Sequence, residues 1–102
     1  MQIKIKATKL ELTEAIKNYI EEKMSLLEKY FGDFQPTNFD FEVELTTHHH
    51  AKGDIFRAEA NLSLPGGLLR VEKTETDLYK AIDKVKDHLA EGIVKYKEKK
   101  RG

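Results

Sequence analysis

The chain has 102 residues, which suits one domain with a single core, and its 18 basic and 18 acidic side chains cancel. Overall charge therefore gives no support to nucleic-acid binding, which can be argued only from where the charges lie. The absence of cysteine excludes disulfides and thiolate chemistry, and the sequence shows neither a signal peptide nor a membrane-spanning run. We therefore expect a single cytoplasmic domain over residues 1–102.

The first half of the sequence predicts a strand, a helix and a second strand. Residues 2–7 alternate between apolar and polar side chains, as a half-buried strand does. Residues 10–31 carry apolar side chains at helical spacing, with Thr13 as a candidate N-cap. After a loop, residues 39–46 alternate again. Their polar second face indicates a sheet that is covered on one side only.

The second half predicts two further strands and a long helix. A polar loop over residues 48–54 leads to an alternating strand at 56–64. Pro65-Gly66-Gly67 is typical of a hairpin turn, and a short strand at 68–73 returns from it. Residues 74–101 then predict a helix.

That last helix has two chemically different sides. Its apolar stripe, at spacings of three and four, consists of Leu78, Ile82, Val85, Leu89, Ile93 and Tyr96. We expect Thr74 to cap the first turn, with Glu75 and Asp77 placing negative charge where the helix dipole favours it. The other side is charged. Its basic end, residues 95–101, is either a solvated, dipole-complementing terminus or part of a phosphate-binding surface.

These elements predict an α+β fold in the order β-α-β-β-β-α. We expect a four-stranded mixed sheet in which strands two, three and four are antiparallel. Strand one would run parallel to strand two through a right-handed crossover, and both helices would pack on one face.

The sequence gives little support for a metal-binding or catalytic site. His48, His49 and His50 are adjacent in an extended segment, so their side chains alternate in direction and rarely converge on one ion. We expect a solvated loop there, without a metal or another cofactor. Glu42 and Glu44 share the exposed face of a strand, where neither is desolvated enough for acid–base work. The sequence therefore predicts that the protein is not an enzyme.

Five blocks of sequence resemble the bacterial ribosome hibernation-promoting factors, the family that includes ribosome-associated inhibitor A. The blocks are HHHAKGDIFRAEA (48–60), LPG (64–66), DLYKAID (77–83), LTEAIK (12–17) and LEKYF (27–31). The resemblance implies a fold close in arrangement to double-stranded-RNA-binding domains. It also implies docking on the small ribosomal subunit, across the channel for messenger and transfer RNA. Translation would be blocked by occupation during stress or stationary phase, by a factor that is monomeric when free and binds neither membrane nor DNA.

The resemblance also implies RNA-binding positions on both predicted helices. Matching the family's basic positions one at a time gives Lys17, Lys23, Lys29 and Lys95. Geometry adds four neighbours on the second helix, Lys80, Lys84, Lys86 and Lys97. The alternative for Lys23 is a structural role, in which the aliphatic part of its side chain covers the edge of the core while its ammonium group reaches water. Three cations of the family pattern are missing, because the chain has Leu26, His88 and Glu91 at those places.

Within the family, the chain resembles either the short form or the isolated N-terminal domain of a long form, whose additional domain joins two ribosomes. Two other functions stay open. One is a general structured-RNA-binding module. The other is a protein-interaction domain that uses the exposed sheet face of Glu42, Glu44, Arg57, Glu59, Arg70 and Glu72, although solubility explains those mixed charges as easily.

Overall fold

Four strands and three helices make up the described part of the chain. The computed structural model describes the backbone of residues 2–50 and 53–101, and the side chains of this set apart from 47–50 and 101. The elements are β1 (Lys4–Thr8), α1 (Glu14–Ser25), α2 (Glu28–Phe31), β2 (Asn38–His50), β3 (Gly53–Leu64), β4 (Gly67–Glu75) and α3 (Leu78–Arg101). No helix among the described residues is both long and apolar enough to cross a membrane.

The four strands form one mixed sheet in the order β1-β2-β3-β4. β1 runs parallel to β2, with Ile5 opposite Phe41. β2 and β3 are antiparallel, with Phe41 opposite Ala60, and β3 and β4 are antiparallel, with Ala60 opposite Val71. The predicted α+β class and strand pairing are confirmed.

One apolar core joins the inner face of this sheet to the helices. Alternate residues of β2 and β3 contribute Phe39, Phe41, Val43, Ala58, Ala60, Leu62 and Leu64. The α1–α2 segment contributes Ile20, Met24, Leu27 and Phe31. α3 contributes Leu78, Ala81, Ile82, Val85, Leu89 and Ile93. The period-two and period-3.6 patterns therefore meet in a single cluster, and the helices cover one face of the sheet.

The first predicted helix is interrupted near Ser25, so the prediction of one helix over residues 10–31 is wrong in this detail. The Ser25 hydroxyl donates a hydrogen bond to the Glu22 carbonyl at 2.6 Å. In a regular helix that carbonyl would accept from the Leu26 N–H, which here bonds to Lys23 at 3.2 Å instead. The backbone hydrogen bond of Leu26 thus reaches back three residues instead of four, because the serine hydroxyl competes with the backbone N–H for the Glu22 carbonyl. Thr13 caps α1 as predicted, its hydroxyl accepting from the Ile16 N–H.

The start of α3 also differs from the prediction. β4 continues through Thr74 and Glu75, because both still pair with β3, so Thr74 does not cap the helix. α3 begins at Leu78, and the Asp77 carboxylate accepts the Tyr79 N–H at 2.9 Å. Asp77 was expected only to place negative charge in the first turn, and it instead precedes the helix and accepts one of its first N–H groups.

The predicted polar loop at residues 48–54 is shorter than expected. β2 continues to His50, which pairs with Gly53 at the start of β3. The predicted absence of a metal site concerns the side chains of His48, His49 and His50, which lie outside the described residues. Among the described side chains, no group of three or more histidines or acids is arranged to hold a metal ion.

The basic end of α3 is held against the sheet by the β3–β4 turn. The Tyr96 hydroxyl donates to the Pro65 carbonyl, and its ring meets that of Phe34 edge to face at 5.8 Å. Gly67 lies under the same ring, since an added Cβ would stand 2.6 Å from Cε1 of Tyr96. A side chain at position 67 would therefore force the Tyr96 ring to shift.

The outer face of the sheet carries a charge network centred on Arg57. Its guanidinium donates to Glu44 at 2.7 Å, and to Glu42 and Glu72 at 2.9 Å each. Burial opposes its charge, but these hydrogen bonds outweigh burial and raise the pKa of Arg57. A hydrogen bond from the Thr8 hydroxyl, helped by Arg57, outweighs burial and lowers the pKa of Glu42. The charged groups of the outer sheet face therefore form hydrogen bonds largely with one another.

We expect Ile82→Ala to lower the free energy of unfolding by roughly 2–5 kcal/mol, because Ile82 is fully buried between α3 and the sheet. Chemical denaturation of the wild type and the variant measures this loss. Val94→Ala on the same helix is the control, since Val94 is 41% exposed and its truncation should cost less than about 0.5 kcal/mol. Equal losses would mean that the buried face of α3 is wrongly assigned.

We expect the stability of the protein to fall in acid partly through Glu42. Its pKa in the folded state lies below the ordinary value of 4.5, so its contribution is present above that pH and is lost as pH falls through the folded value. Glu42→Gln should destabilise the protein at neutral pH, and the difference from the wild type should shrink below pH 4.5. Denaturation at a series of pH values tests this, with Glu21→Gln as an exposed control. A difference that stays constant with pH would contradict it.

Candidate nucleic-acid interface

All eight predicted lysines project from the helical layer, on the side away from the outer sheet face. α1 carries Lys17 and Lys23, α2 carries Lys29, and α3 carries Lys80, Lys84, Lys86, Lys95 and Lys97. They are spread across the helical layer, since Lys17 lies near Ile3 beside β1 and Lys84 lies beside Glu75 of β4, at the opposite edge of the sheet. They differ in how far their ammonium groups are already engaged within the chain.

Three of the lysines are exposed and unengaged. Lys17, Lys80 and Lys95 form no hydrogen bond or ion pair with any described side chain. Lys29 is also exposed, and its Nζ lies 5.3 Å from the centroid of the Tyr30 ring, a distance at which a cation is weakly attracted to an aromatic face. These four ammonium groups can meet a phosphate without first losing a charged partner.

Two further lysines are held by surface ion pairs. Lys84 pairs with Glu75 at the end of β4, and Lys86 pairs with the neighbouring Asp87 at 2.7 Å. Exposed pairs of this kind contribute about 0–1 kcal/mol, so a phosphate group can replace the carboxylate at small cost. The sequence offered no indication of the Glu75 pairing, because Glu75 was assigned to the helix and not to the strand.

Lys23 belongs to a cluster that joins α1 to α3. Its Nζ lies 3.5 Å from the Asp83 carboxylate and 5.5 Å from the centroid of the Tyr19 ring. The Tyr19 hydroxyl donates to the same carboxylate at 2.6 Å, and the Tyr19 and Tyr79 rings meet edge to face at 4.7 Å. Lys23 therefore links α1 to α3 through its ammonium group, whereas the alternative expected only the aliphatic part of its side chain to cover the core edge, and its side chain keeps 32% exposure toward solvent.

The hydrogen bond to Asp83 shifts the pKa of the Tyr19 hydroxyl. Because the neutral phenol donates to a carboxylate, and because burial and nearby negative charge act in the same direction, the pKa of Tyr19 is raised to about 12. Asp83 is thus a positioning group for the Tyr19 hydroxyl, a role that the sequence did not indicate. No local pattern could reveal it, since the two residues are separated by 64 positions.

Lys97 stands apart from the other seven. Its Nζ donates to the backbone carbonyl of Tyr30 at 2.9 Å, near the C-terminal end of α2, where a cation satisfies a free carbonyl. The structure therefore gives Lys97 a fastening role between α2 and α3. Of the places where family cations are missing, Leu26 is 48% exposed and Glu91 and His88 are also exposed.

On the sheet face predicted as an alternative interaction surface, most charged side chains already pair with one another. Besides the Arg57 network, Arg70 donates to Glu59 at 2.8 Å, and Glu59 is only 8% exposed. Charges that are already paired offer a partner protein little to bind. No feature of this face favours the protein-interaction alternative over solubility.

Known proteins share this architecture along the whole domain. The family model described as "Sigma 54 modulation protein / S30EA ribosomal protein" matches residues 3–101. The chain belongs to this family. The resemblance found from the sequence blocks is thereby confirmed.

Similar S30EA family members include three curated proteins named "Ribosome hibernation promotion factor". The protein of Deinococcus radiodurans is 33% identical, that of Lactococcus lactis subsp. cremoris 32% and that of Staphylococcus aureus 35%, each over 95% of this chain. The chain spans about half the length of these relatives, namely 50%, 50% and 48%.

Solved structures agree on the fold of this S30EA family domain. The Thermus thermophilus Protein Y N-terminal domain superposes with a TM-score of 0.79 at 34% identity, covering 94% of this chain and 99% of that one. A ribosomal subunit interface protein from Coxiella burnetii has a TM-score of 0.76, covering 96% of this chain and 99% of that one. At 19% identity, the second comparison supports the fold alone.

We expect Tyr19 to ionise only in strongly alkaline solution. Its raised pKa means that the hydrogen bond to Asp83 stabilises the fold fully below pH 10 and is lost as the pH rises toward about 12. Absorbance titration of tyrosinate should show a component near that value that disappears in Tyr19→Phe. Asp83→Asn should move the component to lower pH. A late component that survives Tyr19→Phe would show that the phenol is assigned wrongly.

Proposed function

We propose that the protein is a ribosome hibernation factor that docks on the small ribosomal subunit, in the channel for messenger and transfer RNA. The observation that carries this proposal is the family match over residues 3–101, which includes every lysine of the helical surface. Relatives of the same family named for ribosome hibernation support the role. Translation is then inhibited by occupation of the channel, in competition with messenger and transfer RNA, without a chemical step.

The lysines of the helical layer supply the contacts to ribosomal RNA. Lys17, Lys29, Lys80 and Lys95 bind phosphates directly, because none of them has a carboxylate partner in the described part of the chain. Lys84 and Lys86 join them by exchanging their surface carboxylates for phosphate. Lys23 and Lys97 fasten the helices to one another and add positive charge to the same surface.

This division explains how a chain of zero net charge binds a polyanion. The sheet carries Glu42, Glu44, Glu59 and Glu72, and Arg57 or Arg70 pairs with each of them. These four acids are thereby compensated on the outer face, whereas the three helices carry eleven basic and eight acidic residues and so keep an excess of positive charge. The RNA meets the exposed lysines of the helices, and the release of counterions from its phosphates drives association.

We expect the joint replacement of Lys17, Lys80 and Lys95 by Gln to weaken binding to purified small subunits. Each lost phosphate contact should reduce the slope of log K against log salt by somewhat less than one unit, so the triple variant should lose about two to three units. Thermal stability should stay nearly unchanged, since no described ion pair is broken. Sedimentation at several salt concentrations measures both affinity and slope.

The matched control is the triple variant Lys4→Gln, Lys6→Gln and Lys9→Gln, in β1 and the residue that follows it, where no described ion pair is broken. It removes the same charge from outside the helical layer, so its salt slope should remain close to that of the wild type. If both triple variants lose affinity equally, the contact surface is assigned wrongly. If the wild type prefers free duplex RNA to small subunits at low salt, the general RNA-binding alternative replaces the hibernation role.

A further inference from the structure

An open groove of about 350 Å³ lies within the lysine-bearing surface, between α2 and α3. It is lined by Tyr30, Ala90, Glu91, Val94, Lys95 and Glu98. The floor is apolar, and Val94 is 41% exposed although it sits in the middle of a helix. The volume falls near the lower end of small-ligand sites, which measure about 300–1,000 Å³. Such a space suits one flat ring system and not a folded partner.

The charged side chains of the groove are unengaged. Glu91, Lys95 and Glu98 are exposed, and none of them forms a hydrogen bond or ion pair with a described side chain. Glu91 and Lys95 are four residues apart on α3, a spacing at which such pairs commonly form, yet they remain separate. An apolar floor is thus bordered by two free acceptors and one free cation.

The Tyr30 side of the groove is held in position. Its backbone carbonyl is fastened to α3 by Lys97 at 2.9 Å, and the Lys29 ammonium lies 5.3 Å from its ring centroid. One cation, Lys29, therefore lies near the Tyr30 ring, and a second, Lys95, lines the same groove. This is the combination by which proteins hold an unpaired nucleotide, a ring for stacking and cations for the adjoining phosphates.

We propose that this groove holds one unpaired, donor-rich nucleobase of an RNA strand, stacked against Tyr30. The inference rests on the proposed function in taking RNA as the partner, and it adds that a base, besides phosphates, is recognised. Ala90 and Val94 cover the remaining apolar surface of the base, Glu91 and Glu98 accept hydrogen bonds from its edge, and Lys95 contacts a phosphate.

The two carboxylates define which base fits best. A carboxylate only accepts hydrogen bonds, so it favours an edge that presents N–H groups. Guanine presents an imino and an amino donor side by side, whereas uracil presents one imino donor between two carbonyl oxygens that a carboxylate repels. The groove should therefore prefer guanine to uracil. A protein occupant is a poorer fit, because a stable interface buries about 800 Å² per partner and leaves no carboxylate unpaired at its centre.

The proposal is tested on the full chain in solution with the RNA pentanucleotides UUGUU and UUUUU. In NMR titrations, UUGUU should shift the ring signals of Tyr30 and the methyl signals of Ala90 and Val94, and should bind more tightly than UUUUU. Tyr30→Leu should weaken UUGUU binding about five- to a hundredfold, the measured range for loss of one stacked base, and Tyr30→Phe should retain binding. Tyr79→Leu is the matched control, since this half-exposed tyrosine of the same surface lies outside the groove.

A second variant addresses the choice of base. Joint replacement of Glu91 and Glu98 by Ala should remove the preference for UUGUU over UUUUU, whatever it does to absolute affinity. Shifts confined to other residues, an equal effect of Tyr30→Leu and Tyr79→Leu, or a preference that survives loss of both carboxylates would each overturn the proposal. Groove signals that shift with protein concentration in the absence of RNA would instead identify a self-association surface, which also overturns it.

Sedimentation of the same variants with small subunits separates this inference from the proposed function. Wild-type protein that sediments with small subunits but shows no groove shifts with RNA overturns the nucleobase site and leaves the hibernation role standing. Protein that binds UUGUU in the groove but does not sediment with small subunits retains the site and overturns the hibernation role.

Discussion

The structure depends on covering one apolar face of a four-stranded sheet. Phe39, Phe41 and Leu62 are almost completely buried on that face, and in the described part of the chain the apolar stripes of the helices cover them. The hydrophobic effect has no preferred direction, but apolar and polar side chains alternate along each strand, so the apolar side chains are buried on one face of the sheet only. All helices must then lie in one layer, and every lysine on their outer sides emerges in the same direction. The core thereby determines where the cations are displayed.

Charge follows the same division between layers. On the sheet, Arg57 and Arg70 are placed among carboxylates at hydrogen-bonding distance, so the outer face largely neutralises itself. On the helices, the ion pairs are fewer and more exposed, and Lys17, Lys80 and Lys95 have no described partner. A net charge of zero therefore conceals two surfaces with different properties. Partner chemistry is better judged from unengaged groups than from the sum of charges.

Most of the fold could be predicted from local sequence patterns. The predictions failed where a side chain competes with the backbone for a hydrogen bond, or where residues far apart in the sequence pair. Alternation in β2 and β3 and the stripe of α3 predicted the elements, because burial on one face enforces period two or 3.6. The break at Ser25 escaped prediction, since a hydroxyl that takes a helix carbonyl leaves the apolar spacing intact. Of the eight lysines proposed to contact RNA, four came from the family resemblance and four from helix geometry, and all eight lie on helices in the structure. The Tyr19–Asp83 bond and the groove beside Tyr30 did not, because both join segments that are remote in sequence.

The contact between Gly67 and Tyr96 couples two parts of the chain that serve different purposes. The glycine sits in a turn between strands, whereas the tyrosine orients the stretch of α3 that carries Lys95 and Lys97. A side chain at position 67 would collide with the ring, so the turn acts as a spacer that sets the height of the helix above the sheet. Replacement of Gly67 by alanine would therefore force the Tyr96 ring, and with it the end of α3 that the ring anchors, to shift away from the turn.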